Sequence, residues 1–360
     1  MVETNGFPGV ELRVRAGGAR IGVGVRIGEG TVIVADQLVL GDGAVIGAGC
    51  DLRSARLELG AGSRVGDGAR WLVADAVGLG AGSVVDAGSE VVCRRWSVGE
   101  GCYIGHRLRV GAGASMEERS TLRIGDRCQI APDVVVNPTE PVVIGDEVGI
   151  SAQVAIWTHG YHAGHPVRDG HGAAFAGVEV QDGVWLGVRA VVLPGVRVGA
   201  GTVVAAMGLV NRSLPAGVLA AGVPARVKHA LEPRVLDVAG RRAAVAVLVE
   251  DWMARLRFKG LDVHPAGPGE GGGWSVVRAG ERWEVALRAG GDQHPGVVEV
   301  RREGAGPCAV FDFAEPLAVR GVLDELGHDL RDFLRRATWL FPYTGNSRGL
   351  VPGRFARLLG

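Results

Sequence analysis

Long apolar runs, paired cysteines and lysine are all scarce in this 360-residue chain. No stretch of eighteen apolar residues occurs, and the first residues lack a basic segment followed by an apolar one, so the reading is a soluble, cytoplasmic protein with no membrane partner. The five cysteines, Cys50, Cys93, Cys102, Cys128 and Cys308, form no CxxC pair and no spacing that reads as a zinc cage or disulfide framework. They read as reduced, mostly packed thiols. Lys228 and Lys259 are the only lysines, and the 39 cationic side chains balance 39 acidic ones. That balance leaves no broad basic field for nucleic acid.

Glycine, by contrast, is abundant at 60 residues, and it is ordered. An aliphatic residue followed by glycine recurs about every six positions: Ile21-Gly22, Ile27-Gly28, Leu40-Gly41, Ile46-Gly47, Leu59-Gly60, Val65-Gly66, Leu79-Gly80, Val98-Gly99, Ile104-Gly105, Ile124-Gly125, Ile144-Gly145, Leu186-Gly187 and Val198-Gly199. The apolar positions run in triplets, such as 40, 46, 52 and then 59, 65, 71. Three short strands therefore make one coil, and successive coils begin about 19 residues apart, as at Ile21, Leu40 and Leu59. About nine coils precede residue 215. Each coil closes into a triangle whose inward aliphatics stack on the coils above and below, with glycine permitting tight corners. The expected architecture is a parallel β-solenoid.

Periodicity does not fix its hand. The register resembles the hexapeptide-repeat acyltransferase family over roughly residues 10 to 230. That resemblance implies an all-β left-handed parallel β-helix, a homotrimer, and acetyl-CoA or another acyl-CoA as co-substrate with no metal.

Two segments interrupt the repeat, and chemistry concentrates where regular scaffold is broken. The smaller runs from Ala112 to Thr121 and contains Met116, Glu117, Glu118 and Arg119; the larger lies between Ile156 and Val178 and holds four of the nine histidines, His159, His162, His165 and His171. Acyl transfer from a thioester needs a base that works near neutral pH, which imidazole provides. The stretch from Ile156 to His162, followed by Val178 to Val192, resembles galactoside, maltose and related sugar O-acetyltransferases, whose loop histidine follows a Thr. On that match the base is His159, preceded by Thr158, with His162 as the other choice, and the loop beginning at Trp157 orders the acceptor. Asp133 and Asn137 are the candidate acceptor-gripping residues. The four histidines also admit a zinc site like that of γ-class carbonic anhydrases, although the only further histidine on the coils at a comparable face is His106.

Gln181 to Gly199 is the segment most like the family. The resemblance gives Trp185 the pantetheine groove and gives the backbone near Gly187 the thioester carbonyl. Val204 to Pro215 and Ala220 to Lys228 resemble the closing coil and tail, assigning Ala206 and Asn211 to the pantetheine or adenine and Arg212, Arg226 and Lys228 to the phosphates. Two departures stand out: Asn211-Arg212 replaces the usual Thr-Lys or Ser-Lys pair, and Ala205-Ala206-Met207 replaces glycine.

Beyond residue 230 the repeat stops, giving a division into residues 1–230 and a small α+β accessory domain over 231–360. Pro233 to Phe258 reads as a helix, Trp274 to Arg278, Trp283 to Leu287 and Val297 to Arg301 as antiparallel strands followed by Cys308 to Phe313, and Leu317 to Trp339 as an amphipathic helix. The helix stripe includes Val322, Leu323, Leu326, Leu330, Phe333 and Leu334, with Asp324, Glu325, Asp329, Asp332 and Arg335 outside it.

The expected function is transfer of an acetyl or other short acyl group from coenzyme A to a hydroxyl of a sugar or small metabolite. An amine acceptor, a non-catalytic trimeric scaffold and a carbonic-anhydrase-like zinc enzyme are the alternatives.

Overall fold

The alternation of inward aliphatics with outward polar residues makes each hexad a short strand, and neighbouring turns of the chain complete its hydrogen bonds. A computed structural model describes residues 7–111, 116–160, 170, 172, 174–232, 235–266, 273–306, 308–336 and 341. The chain divides into two compact units, the first ending at Glu232.

The first unit is a three-sided parallel solenoid of about ten rungs. Its first face stacks ten strands, starting with the front halves of Glu11–Ile21, Val32–Leu40, Asp51–Leu59, Arg70–Leu79 and Glu90–Val98 and continuing through Arg109–Val110, Val135–Asn137, Ala155–Trp157, Val191–Val192 and Leu209–Val210. The second face takes the rear halves of those five long strands, then Thr121–Ile124, Val142–Ile144, Val178–Val180 and Arg197–Val198, with Leu214 bridging Val198. Short strands from Arg26–Ile27 to Val218–Ala221 make the third face. The tenth rung escapes a count of hexads because Glu11 to Arg20 holds no Leu, Ile or Val followed by glycine.

In the first five rungs the predicted three strands become two. Segments such as Val34-Ala35-Asp36-Gln37 and Cys93-Arg94-Arg95-Trp96 lack glycine, and the backbone bends round that corner while remaining extended. The one or two extra residues at this bend account for the 19-residue spacing of coils built from six-residue units.

Inside the prism the aliphatics are fully buried, including Leu40, Ile46, Leu52, Leu59 and Val65 from consecutive triplets. Trp71 and Trp96 stack edge to face across neighbouring rungs at 4.8 Å, and the Trp71 indole donates to Ser89 Oγ. Cys50, Cys93, Cys102 and Cys128 are buried free thiols in this core. Burial pushes the Cys93 thiol up to about 12, which suppresses thiolate chemistry.

The second unit has its own core. Helix α1, Val238–Phe258, starts four to five residues later than Pro233, at Asp237, whose carboxylate caps the Gly240 amide at 2.7 Å. Its buried stripe is Val245, Val249, Trp252, Met253 and Leu256. A six-stranded antiparallel meander follows, adding Asp262–Pro265 and Ala318–Arg320 to the strands foreseen. Helix α2 is therefore shorter than the amphipathic pattern implied, covering Glu325–Arg336. Val322 precedes it and is 66% exposed, while Asp329 and Asp332, expected on the solvent face, are buried. Asp329 accepts from the Trp252 indole at 2.8 Å and pairs with Lys259, which explains how a carboxylate is held there. Trp339 lies outside the described residues. No described helix is long and apolar enough to cross a membrane.

The glycines of one turn give a paired stability prediction. A Cβ on Gly60 would sit 2.5 Å from the Ala81 backbone nitrogen, whereas Gly62 has φ +63° and open space. Arg107, Arg127, Asp133, Glu147, Gln153, Arg189 and Met207 hold similar positive φ in later turns, so a side chain is tolerable there. We expect Gly62→Ala to cost about 1 kcal/mol and Gly60→Ala to cost more than about 2 kcal/mol by forcing two rungs apart, as read by urea unfolding.

Candidate functional site

Both interruptions leave the prism at the same corner. Extra residues cannot be threaded into a closed rung without breaking its ladder, so they must bulge at an edge. The edge between first and second faces receives them on three successive rungs: after Val110, between Asn137 and Val142, and between Trp157 and Val178. Gly111, Asn137 and Trp157 occupy equivalent places on these rungs, since Val110 pairs with Val136, and Asn137 with Trp157.

The larger excursion opens as a small antiparallel hairpin in which His159 pairs with Phe175 and Gly160 with Ala174. The His159 ring lies between aromatic neighbours, stacked near Phe175 at 5.9 Å and edge-on to Trp157 at 6.0 Å. Its Nδ1 is 3.0 Å from Asn137 Oδ1 and 3.4 Å from Thr139 Oγ1. Asn137 is 0% exposed, so it does not face an acceptor as the sequence suggested; it is enclosed beside the imidazole. Its Nδ2 donates to the Gly111 carbonyl at 2.7 Å, and its Oδ1 accepts from the Thr139 amide and hydroxyl.

Thr158 is also fully buried and ties the rungs together. Its hydroxyl donates to the Asn137 carbonyl at 2.8 Å and accepts from the Glu140 amide at 3.0 Å. The nearly buried Glu140 carboxylate pairs with Arg119 from the smaller excursion at 3.1 Å. Arg119, Thr139, Glu140 and Phe175 had no signal in the sequence beyond their place in or near a break; the rungs bring them together.

The other predicted residues fall into two further groups. Trp185 stands on the third face of the His159 rung, 54% exposed, with its indole donating to Ser151 Oγ at 3.0 Å. Gly187 begins the turn from third to first face, and its amide is spent on the Val204 carbonyl at 2.8 Å, so it does not offer the donor assigned to it. The adjacent Val188 amide has no acceptor among the described residues, nor has that of Ala206 one rung along the same edge. Gly187 is needed for another reason: a Cβ there would meet the Ala206 nitrogen at 2.5 Å. Arg226 and Lys228 are exposed on Arg226–Ala230, which pairs antiparallel to the last third-face strand. Asn211 and Arg212 are exposed at the His159 edge, two rungs further on.

Asp133 lies on the edge of Gly187 and Val188, two rungs earlier and away from His159. It occupies a turn between third and first faces at φ +62°, with both carboxylate oxygens on the Arg107 guanidinium at 2.7 and 2.8 Å. That pairing holds its carboxyl below the usual range. His106 shares this edge, 3.0 Å from Asp86. His162, His165 and His171 lie outside the described residues, and the described residues contain no group of three or more potential metal ligands.

In one chain, His159 thus sits at one margin of the first face, while Trp185, Val188 and Ala206 mark the third face and the opposite margin.

No family model matches the chain. It is 30% identical over 115 residues to galactoside O-acetyltransferase of Escherichia coli, covering 32% of this chain and 57% of that enzyme. It is 44% identical over 73 residues to 2,3,4,5-tetrahydropyridine-2,6-dicarboxylate N-acetyltransferase of Staphylococcus aureus, covering 18% of this chain and 30% of that one. The chain thus spans between about a third and little more than half of the length of these curated relatives. A hexapeptide-repeat acetyltransferase of Vibrio cholerae is 30% identical, with 36% of this chain and 74% of that one covered and a TM-score of 0.30. With its six-residue register and stacked three-sided rungs, the chain belongs to the hexapeptide-repeat family of acetyltransferases, the left-handed parallel β-helix proteins.

Proposed function

We propose that the protein moves an acetyl or other short acyl group from coenzyme A to a hydroxyl of a sugar or small metabolite, with His159 as general base. The observation that carries this reading is an imidazole held by buried Asn137 and by Thr139, with buried Thr158 fastening Asn137 in turn, at the one edge where the described solenoid is broken. A scaffold has no use for a side chain held by hydrogen bonds at an opening. The relatives add weight, since they carry O-acetyl and N-acetyl transfer in their names.

In this reading the imidazole takes the acceptor's hydroxyl proton as its oxygen attacks the thioester carbonyl. The carbon–sulfur bond then breaks, and the imidazolium returns the proton to the departing thiolate of coenzyme A. The outward Val188 amide suits the oxyanion, since a preorganised backbone donor stabilises charge as it develops. Trp185 offers an exposed face to the pantetheine, and Arg226 and Lys228 lie along the same third face where phosphates would be met.

These two halves sit on different margins of one prism, and a homotrimer unites them. His159 and Trp185 occupy the same rung, so rotation about an axis parallel to the prism brings one copy's Trp185 to the height of another's His159. The loop beginning at Trp157 is proposed to order the acceptor. The smaller division of the chain, residues 231–360, is proposed as an accessory domain.

Two predictions follow from these assignments. His159→Ala should lower kcat by about 10³-fold while acetyl-CoA binding, read by calorimetry, stays intact; unchanged turnover against a panel of sugars and amines would remove His159 from the role of base. Trp185→Ala should instead raise the Kd for acetyl-CoA by about tenfold. Turnover of amines but not hydroxyls in the same thiol-release assay would assign N-acyl transfer.

A further inference from the structure

We infer that Asn137 is a positioning residue that fixes the tautomer of His159, placing the proton on Nδ1 and leaving Nε2 as the basic nitrogen. This rests on the reading of His159 as the base. The orientation of the Asn137 amide follows from its two backbone partners. The Gly111 carbonyl, 2.7 Å away, can only accept, so the group facing it is Nδ2. The Thr139 amide, 3.1 Å away, can only donate, so the group facing it is Oδ1. Both ends agree, and a flipped amide would set donor against donor and acceptor against acceptor.

Oδ1 is thus the atom 3.0 Å from His159 Nδ1. An amide oxygen has no proton to give, so the hydrogen on that axis belongs to Nδ1. The Thr139 hydroxyl, at 2.8 Å from Oδ1 and 3.4 Å from Nδ1, spends its proton on the same oxygen and offers the ring only a long contact. Neutral imidazole with Nδ1–H carries its lone pair on Nε2, the nitrogen remote from the backbone.

The arrangement is a relay with one hydrogen bond per rung. Gly111 on the sixth rung receives Asn137 on the seventh, which receives His159 on the eighth. It joins Gly111, the residue just before the smaller break, to the larger break, and gives the pair a shared purpose. Gly111 itself is held at φ +122°, with Val92 carbonyl oxygen 2.9 Å from where a Cβ would be, so the carbonyl that starts the relay depends on glycine. Beside this relay the Glu140 carboxylate, whose amide is held by Thr158, pairs with Arg119 at 3.1 Å.

A mere space-filling role for Asn137 makes a different prediction from a positioning one. The test is ¹⁵N NMR of the full chain labelled at histidine, recorded above the imidazole titration range, for wild type, Asn137→Ala and Asn137→Asp, with His159→Ala to assign the signal. Wild type should show a proton-bearing Nδ1 and a pyridine-type Nε2 at His159. Asn137→Ala should lose that signature and lower kcat by about 10²-fold, with KM for acetyl-CoA within about threefold. Asn137→Asp keeps an acceptor beside Nδ1 and should retain Nδ1–H. A wild-type ring protonated on Nε2, or a folded Ala variant with unchanged tautomer and kcat, would overturn the inference. If the Ala variant does not fold, an Asp variant carrying Nε2–H overturns it equally. Nδ1–H in a protein that turns over no acyl-CoA would leave the positioning intact and remove the acyltransferase reading instead.

Discussion

Everything in the first unit depends on the parallel ladder between rungs, which requires each turn of chain to lie about 4.8 Å from the next on all three faces. Apart from bonds inside its turns, the backbone of each rung finds its partners in the rungs above and below, as when Gly60 donates to Leu79 and Gly80 to Val98. Side chains inside the prism must then stack like on like. The requirement is severe at the corners, where a single Cβ on Gly28, Gly41 or Gly66 would meet backbone atoms of the next rung within 2.6 Å.

Such a ladder has no interior room for insertions, so variation is expelled to the edges. The same strictness that makes the coils uniform makes their exceptions meaningful. Three successive exceptions at one edge bring Arg119, Asn137, Thr139, Glu140, Thr158, His159 and Phe175 together. Burial gives these contacts their force: polar groups withdrawn from water must pair with one another, and Asn137 and Thr158 have no exposure at all. A loop histidine in solvent would rotate freely; this one is fastened to scaffold that extends over ten rungs.

The two units are built on opposite physical plans. In the solenoid, contacts join residues one coil apart and repeat with the coil. In the second unit, α1, the meander and α2 share one mixed core of Trp252, Trp283, Phe311, Phe313 and Leu330. Patterning was a weaker guide there. The apolar stripe running back to Leu317 suggested a helix, yet Ala318–Arg320 pairs with Ala309–Asp312 as the last strand of the sheet. Asp329 and Asp332 resembled a solvent face, but Asp329 is buried through its bonds to Trp252 and Lys259, partners far away in the chain.

The sequence by itself determined the solenoid, because a six-residue period of aliphatic and glycine can satisfy its packing and its corners in only one kind of stack. It also located the two breaks and, through them, His159. Tertiary structure decided what the breaks do. That Gly111, Asn137 and Trp157 are neighbours follows from pairing between rungs, which no local pattern records once the coil length has changed from 19 residues to 26, back to 20 and then to 36. Asn137 was read from the sequence as a candidate acceptor contact, not as the partner of an imidazole, and the commitment of the Gly187 amide to Val204 emerged only from the next rung. Period is a property of the chain, whereas the vertical neighbours that orient a side chain belong to the stack.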